Sequence, residues 1–233
     1  MNFAEYNVKD ANLEEVLLAL KSLDTVEAVA LGGSRSTGAS DENSDYDIYV
    51  YCAEIPTAET RENFLGKYCS IAEFGNHYWE SEDNTVMNNG VPVDIIYREV
   101  DRFGRYIDTV IKGGKAFNGY TTAFWHNIKN SKVLFDKTGT FTKFRDMAQI
   151  DFPENLRIAI IKNNRNLLNG KLPSYDRQIK KAQERGDIVS VNHRITAFLE
   201  SYFDVIFALN RQTHPGEKRR APRRPGTLTA SIA

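Results

Sequence analysis

Two aspartates, Asp45 and Asp47, stand two residues apart at the head of the strand-like run DYDIYVY, residues 45–51. Side chains alternate along a strand, so both carboxylates project to one face, about 7 Å apart at Cα, while Tyr46 and Ile48 take the other. Two like charges held side by side repel, and burying them uncompensated costs several kcal/mol. A cation between them removes that cost. Hard oxygen donors in this arrangement suit Mg2+, which takes one or two carboxylates together with substrate phosphates. Asp94 lies in a second apolar run, between Val93 and Ile95-Ile96, and supplies a third carboxylate if its strand is a neighbour of the first. A single aspartate of this kind is ordinarily a solvated edge residue; three of them inside strand-like runs point to a metal site.

The anion side of such a site is read from Gly32-Gly33-Ser34, a turn that follows the apolar residues 26–31. Glycines permit close backbone approach, and the N–H groups around Ser34, with its hydroxyl, form a concave nest of donors for phosphate oxygens. Ser44, just before the second strand, joins this group. Arg35 reads equally well as a charge-assisted phosphate contact and as a surface salt bridge. No Gly-Lys-Ser/Thr follows, so the turn is not a P-loop.

The elements that must position these groups follow from periodicity. Asp10 is placed to cap a helix carrying Leu13, Val16, Leu17 and Leu20. Strands are expected over residues 26–33 and 45–51, and a helix with a short strand over 58–78. Asn89-Gly90 predicts a type I′ hairpin spanning residues 84–98. Helices are predicted from Val100 to a stop at Gly113-Gly114, over 121–130, from Pro153 to Gly170, over 174–185 and over 187–212, with a short strand at 132–136. The last helix is apolar around much of its circumference, as in the centre of a bundle. Trp79 and Trp125 read as core or wall residues. These elements give an α+β chain with three parts: residues 1–150 around a mixed sheet, a helical part over 151–219, and a Pro/Arg-rich tail over 220–233 with too few apolar residues to fold alone.

An apolar content of 41% and a charged content of 26% are those of an ordinary globular protein. The start of the chain has neither the basic nor the apolar region of a signal peptide, and no run is long enough to span a membrane, so a cytoplasmic protein is expected. Cys52 and Cys69 have no CxxC spacing and read as free thiols. Residues 1–100 hold 6 Lys/Arg against 19 Asp/Glu, whereas residues 101–233 hold 24 against 12. That asymmetry suggests lobes of opposite sign, which either attract each other or line a cleft.

Taken together, Gly33-Ser34, ten intervening residues and Asp45-Tyr46-Asp47-Ile48 resemble the signature of the DNA polymerase β-like nucleotidyltransferase superfamily, and Asp94 resembles its third acid. The likeness covers roughly residues 26–98. Residues 198–219 resemble the helical C-terminal region of a bacterial branch with a domain of unknown function, distantly similar to aminoglycoside and lincosamide nucleotidyltransferases. The resemblance implies a mixed sheet flanked by helices, a C-terminal helical bundle, and two Mg2+ ions with ATP or another nucleoside triphosphate. It implies transfer of a nucleoside monophosphate to a hydroxyl of a small molecule, with an antibiotic among the candidates. Asp45 and Asp47 would hold both ions, Asp94 the ion on the nucleophile side, and Gly32, Gly33, Ser34, Arg35 and Ser44 the phosphates. In the antibiotic-modifying relatives an acid of the helical lobe serves as base, which makes Glu200 and Asp204 candidates; with His193 they otherwise read as the solvated side of their helix. Arg211, His214 and Lys218 are placed either to reach triphosphate oxygens or to complement the helix end. The chain holds no RNA-binding motif, so nucleic acid is not expected as a partner, nor is a membrane. A protein or tRNA acceptor, and a non-catalytic nucleotide-binding or antitoxin-like module, are the alternatives.

Overall fold

In the computed structural model, which describes residues 10–36, 38 and 44–216, Asp10 caps helix α1 (Ala11–Ser22) by accepting from the amides of Asn12 and Leu13. Leu13, Val16, Leu17 and Leu20 recur at the helical period and are all buried. Each contributes roughly 2 kcal/mol of burial. They pack on one face of a six-stranded sheet built from β1 (Val26–Leu31), β2 (Tyr46–Cys52), β3 (Cys69–Asn76), β4 (Ser81–Met87), β5 (Pro92–Glu99) and β6 (Lys132–Asp136), in the order β3-β4-β5-β2-β1-β6. The pair β2 and β5 is parallel and the other pairs are antiparallel. Tyr46, Ile48, Val50 and Cys52 of β2 and Val93, Ile95 and Tyr97 of β5 face this core, joined by Leu65 at the end of α3 (Ala58–Leu65). Alternation therefore turns Asp47 and Asp94 to the opposite face. Burial pushes the Cys52 thiol up to about 12, so it stays protonated, and both cysteines are free.

The β4–β5 turn departs from expectation. Gly90 has φ +83°, but Asn89 does not adopt the positive φ that a type I′ turn demands of both central residues. The loop has three residues, closed by Met87 N–H donating to the Val91 carbonyl and Gly90 N–H to that of Met87. Asn89 is held elsewhere: its amide nitrogen donates to both carboxylate oxygens of the cap Asp10, and its oxygen accepts from the Val91 amide.

Two units make up the described chain. The first runs to Arg105 and adds Asn127–Gln149; the second holds Tyr106–His126 and the described residues from Ile150. The division is discontinuous, whereas the sequence reading breaks the chain once, after residue 150. Residues 106–126 belong to the helical unit because Asn163 and Asn164 donate to the Phe117 carbonyl and Asp204 accepts from Thr121. Helices α4 (Val100–Ile111) and α5 (Ala123–Asn130) follow β5, and the first unit also holds α6 (Thr140–Ala148), whose Phe141 and Phe144 form an aromatic cluster with Tyr51 and Phe103.

The second unit includes α7 (Glu154–Arg165), a π-helical turn (Asn166–Gly170), α8 (Tyr175–Glu184) and α9 (Ile188–Leu209). Pro153 stands one residue before α7, in extended conformation, rather than inside it. The expectation that α9 is enclosed holds for its C-terminal half only: Ser201 and Asp204–Ala208 are buried, while Ile188 is 71% and Val189 80% exposed. Trp125 is buried against Phe152, but Trp79 is 87% exposed, contrary to its reading as core or wall.

Asp204 is a buried anchor rather than part of a solvated stripe. It accepts from the Thr121 amide and hydroxyl and from the Asn164 side chain, which also binds the Phe117 carbonyl and accepts from the Gly119 amide. Burial pushes its carboxyl up to about 6, against the opposing pull of these hydrogen bonds. The folded chain thus keeps this proton to higher pH than the unfolded chain, so the group's contribution to stability falls as pH rises from about 4 to 6. Urea unfolding of the wild type against Asp204→Asn is expected to show it: the variant loses less stability between pH 4 and 7, by up to roughly 3 kcal/mol. Equal losses would contradict this reading.

Candidate active site

Parallel register sets Asp47 of β2 directly beside Asp94 of β5. Asp45 lies two residues before Asp47, and one carboxylate oxygen from each of the three lies within 4.8 Å of the others. At that spacing each pair of charges repels by at least about 3 kcal/mol at an effective dielectric of about 20. All three are half-buried, which moderates the cost without removing it. Three hard oxygen donors converging on one point fit a divalent cation of the Mg2+ type.

The glycine elbow packs onto the same group. Gly32 donates its N–H to the Asp47 carbonyl at 2.8 Å, and Gly33, at φ +58°, opens the single turn α2 (Gly33–Ser36), which Ser36 ties back through its amide and hydroxyl. A β-carbon on Gly33 would lie 1.6 Å from Asp47 Oδ2, and one on Gly32 would lie 2.0 Å from the Tyr49 ring. Both glycines are therefore demanded by close approach. Ser34 follows directly, half-buried, at the mouth of this turn.

Arg35 takes a role that neither sequence reading anticipates. Its Nε donates to the carbonyls of Ser44 and Asp45, its Nη2 to that of Ser44, and its guanidinium lies 4.0 Å over the Tyr46 ring. The side chain thus ties the elbow to the backbone that presents Asp45. Ser44 contributes its carbonyl to the same tie.

Several residues of this face escape the sequence reading. Tyr49, two residues along from Asp47, sits against Gly32 and beneath Arg98, whose guanidinium is 4.2 Å from its ring centre. Burial pushes the Tyr49 phenol up to about 12. Arg98 pairs in bidentate fashion with Glu80 and also donates to Tyr51 and Asn127. Burial opposes its charge, but Glu80 more than compensates and the guanidinium stays ionised. Asn84 of β4 faces Asp94 and donates to it. Glu82, on the same face as Asn84, is raised above the usual carboxylate range, by burial first and by Asp94 next.

The other described candidates belong to the second unit. Glu200 belongs to the second unit, where Gly119 packs against its Cβ, and is not among the converging carboxylates. His193 is exposed. Arg211 pairs with Glu154, which Arg157 and Arg211 hold down to about 2, and His214 is buried between Tyr120 and Phe207. Lys218 and the tail lie outside the described residues.

Residues 13–116 match the family profile described as a nucleotidyltransferase domain, and residues 122–219 match a domain of unknown function, DUF4037. Residues 13–116 thus carry the sequence pattern of a nucleotidyltransferase domain. Among solved structures, the chain is similar to a nucleotidyltransferase-like protein from Exiguobacterium sibiricum, with 11% identity and a TM-score of 0.39 over 83% of this chain and 54% of that one. It is similar to Cid1 in complex with its short product ApU, with 16% identity and a TM-score of 0.31 over 53% of this chain and 44% of that one. It is also similar to the Thermotoga maritima CCA-adding enzyme complexed with tRNA, with 16% identity and a TM-score of 0.34 over 92% of this chain and 57% of that one. The chain thus spans about half the length of these structures. No curated protein matches it. Among the described residues, no helix is long and apolar enough to cross a membrane.

Proposed function

We propose that this protein is a nucleotidyltransferase that moves a nucleoside monophosphate, AMP from ATP, to a hydroxyl of a small cationic molecule of the aminoglycoside or lincosamide kind. The observation that carries the chemistry is the convergence of Asp45, Asp47 and Asp94 beside the glycine elbow. When bound by these carboxylates, two Mg2+ ions would draw charge from the triphosphate and ease ionisation of the attacking hydroxyl. Asp45, Asp47 and Asp94 are the residues that would hold the ions, with Asp94 serving the attacking hydroxyl. The turn at Gly32, Gly33 and Ser34 holds the β- and γ-phosphates through N–H groups and the Ser34 hydroxyl. The acceptor oxygen bonds to the α-phosphorus, the bond to the bridging oxygen breaks, and its electron pair leaves with pyrophosphate. The hydroxyl proton passes to an Asp94 oxygen.

The acidity of the face supports a cationic acceptor. Glu82 adds a carboxyl that feels the charge of Asp94, and residues 1–100 carry 19 acidic against 6 basic side chains, a balance that favours a cation on this part of the chain. The test is pyrophosphate release from each labelled triphosphate with Mg2+ and panels of aminoglycosides, lincosamides, tRNA and protein. Release with ATP and a cationic antibiotic is the expected result. Release with tRNA or protein alone would replace the acceptor, and nucleotide binding without release under any condition would point to a non-catalytic module.

A further inference from the structure

A row of amide side chains crosses the sheet and ends on Asp94. Asn76, the last residue of β3, donates its Nδ2 to Asn84 Oδ1 at 2.7 Å, and Asn84 Nδ2 donates to Asp94 Oδ1 at 3.0 Å. Asn84 and Asp94 are direct cross-strand partners in the β4–β5 register, and Asp94 is in turn the partner of Asp47 in the β5–β2 register.

The β3 end of the row is built by a bulge. Between Glu73 and Asn76 the β3–β4 register shifts, and Gly75 there has φ +84°. The Gly75 amide donates to Asp83 Oδ1 at 2.8 Å; Asp83 is wholly buried and paired with Arg61 at 2.9 Å. A bulge of this kind bends its strand and re-aims the next side chain. Here it leaves Asn76 within reach of Asn84 although the ladder pairs Asn76 with Glu82.

The direction of the row matters chemically. An asparagine side chain can present either its NH2 or its carbonyl, and the two orientations have nearly the same shape. With Asn84 Oδ1 accepting from Asn76, only the NH2 is left to face Asp94. In the reversed orientation a carbonyl oxygen would oppose the carboxylate, and two NH2 groups would oppose each other. Asn76 Nδ2 also donates to Glu73 Oε2 at 3.4 Å, which sets the orientation of that amide in turn; Asn76 and Asp94 together therefore select the Asn84 orientation, and Asn84 fixes the plane of the Asp94 carboxylate.

We infer that Asn84, locked by Asn76, is a positioning residue that aims the carboxylate of Asp94 at the shared cation. The inference rests on the proposal that the three aspartates bind divalent metal. Groups that hydrogen-bond to metal ligands from behind orient them, and their loss weakens metal affinity about 10- to 100-fold.

Mn2+ binding, followed by the paramagnetic resonance signal of the free ion, tests the row without relying on turnover. Asn84→Ala is expected to weaken Mn2+ binding about tenfold and Asn76→Ala about threefold, while the Asn76→Ala/Asn84→Ala double variant is no weaker than Asn84→Ala, because the row acts in series. In an Asp94→Asn background, Asn84→Ala should change nothing further. Affinity within twofold of wild type for Asn84→Ala, or the same loss with Asp94 already replaced, would overturn the positioning role while leaving the metal site standing. Wild-type affinity in Asp94→Asn itself would overturn the metal site and this inference with it. Should Asn84→Ala fail to fold, Asn76→Ala decides: a threefold loss that disappears in the Asp94→Asn background supports the row, and no loss refutes it.

Discussion

Replacing Asp47 by asparagine is expected to abolish pyrophosphate release, by at least 1,000-fold, and to leave the metal-free protein as stable as before or more so. The two effects have one cause. Asp47 is the ladder partner of Asp94 and stands two residues from Asp45, and one oxygen of each lies within 4.8 Å of the others, so its charge both attracts a cation and repels two carboxylates without one. Removing its charge takes away several kcal/mol of transition-state stabilisation, which is worth three or more powers of ten in rate. In the apo protein the same change relieves repulsion worth about 1 kcal/mol after solvent screening, or roughly 2–4 °C in Tm. Adding Mg2+ should then raise the wild-type Tm and leave that of Asp47→Asn unmoved. Calorimetry with and without Mg2+, beside a pyrophosphate assay, checks both halves. A variant that kept its turnover, or that lost stability in metal-free buffer, would contradict the account.

The second large effect is expected at Gly33. A methyl group there would lie 1.6 Å from Asp47 Oδ2, and the residue's φ of +58° disfavours any L side chain. Gly33→Ala must therefore displace the Asp47 carboxylate or open the elbow, and a shift of about 1 Å at a reacting group costs on the order of 100-fold in rate. The left-handed conformation adds about 1–2 kcal/mol, near 5 °C in Tm. Gly139→Ala separates the two contributions. Gly139 has φ +72° but nothing within 4 Å of its would-be β-carbon, so that variant should lose similar stability and keep its activity. Equal activity in the two variants would show that the approach of the elbow to Asp47 is unimportant.

Much of this site was legible before the fold was known. Strand alternation alone turns Asp45 and Asp47 to one face, and apolar neighbours around Asp94 place it in the sheet; the structure adds that β2 and β5 are adjacent and in register. Two consecutive glycines before a strand carrying acids signal close approach, and the structure leaves no room for a β-carbon on either. Asn84 was not legible because register depends on the turn. A type I′ turn at Asn89-Gly90 would pair residue 85 with Asp94, whereas the three-residue loop pairs residue 84 with it. One residue of slip exchanges the faces of the whole strand. With the three-residue loop goes the engagement of Asn89 with Asp10, 79 residues away, which no local pattern announces.

Helix α6 was missed for a related reason. Its N-cap position is Gly139, which makes no side-chain capping bond; Asp136, farther back at the end of β6, accepts from the Phe141 and Thr142 amides instead. The polar residues of α9 were misread because a buried carboxylate and a solvated one share the same helical spacing. Only the acceptors and donors brought by residues 117–121 and Asn164 distinguish Asp204 from its exposed neighbour His193.

Crystals grown with Mn2+ and a non-hydrolysable ATP analogue, measured at the manganese absorption edge, give the most direct test of the central claim. Anomalous peaks within roughly 2.3 Å of carboxylate oxygens of Asp45, Asp47 and Asp94, with the triphosphate against Gly33 and Ser34, are the result predicted. Ordered nucleotide with no peak among the three aspartates, or with manganese held by other residues, would contradict it.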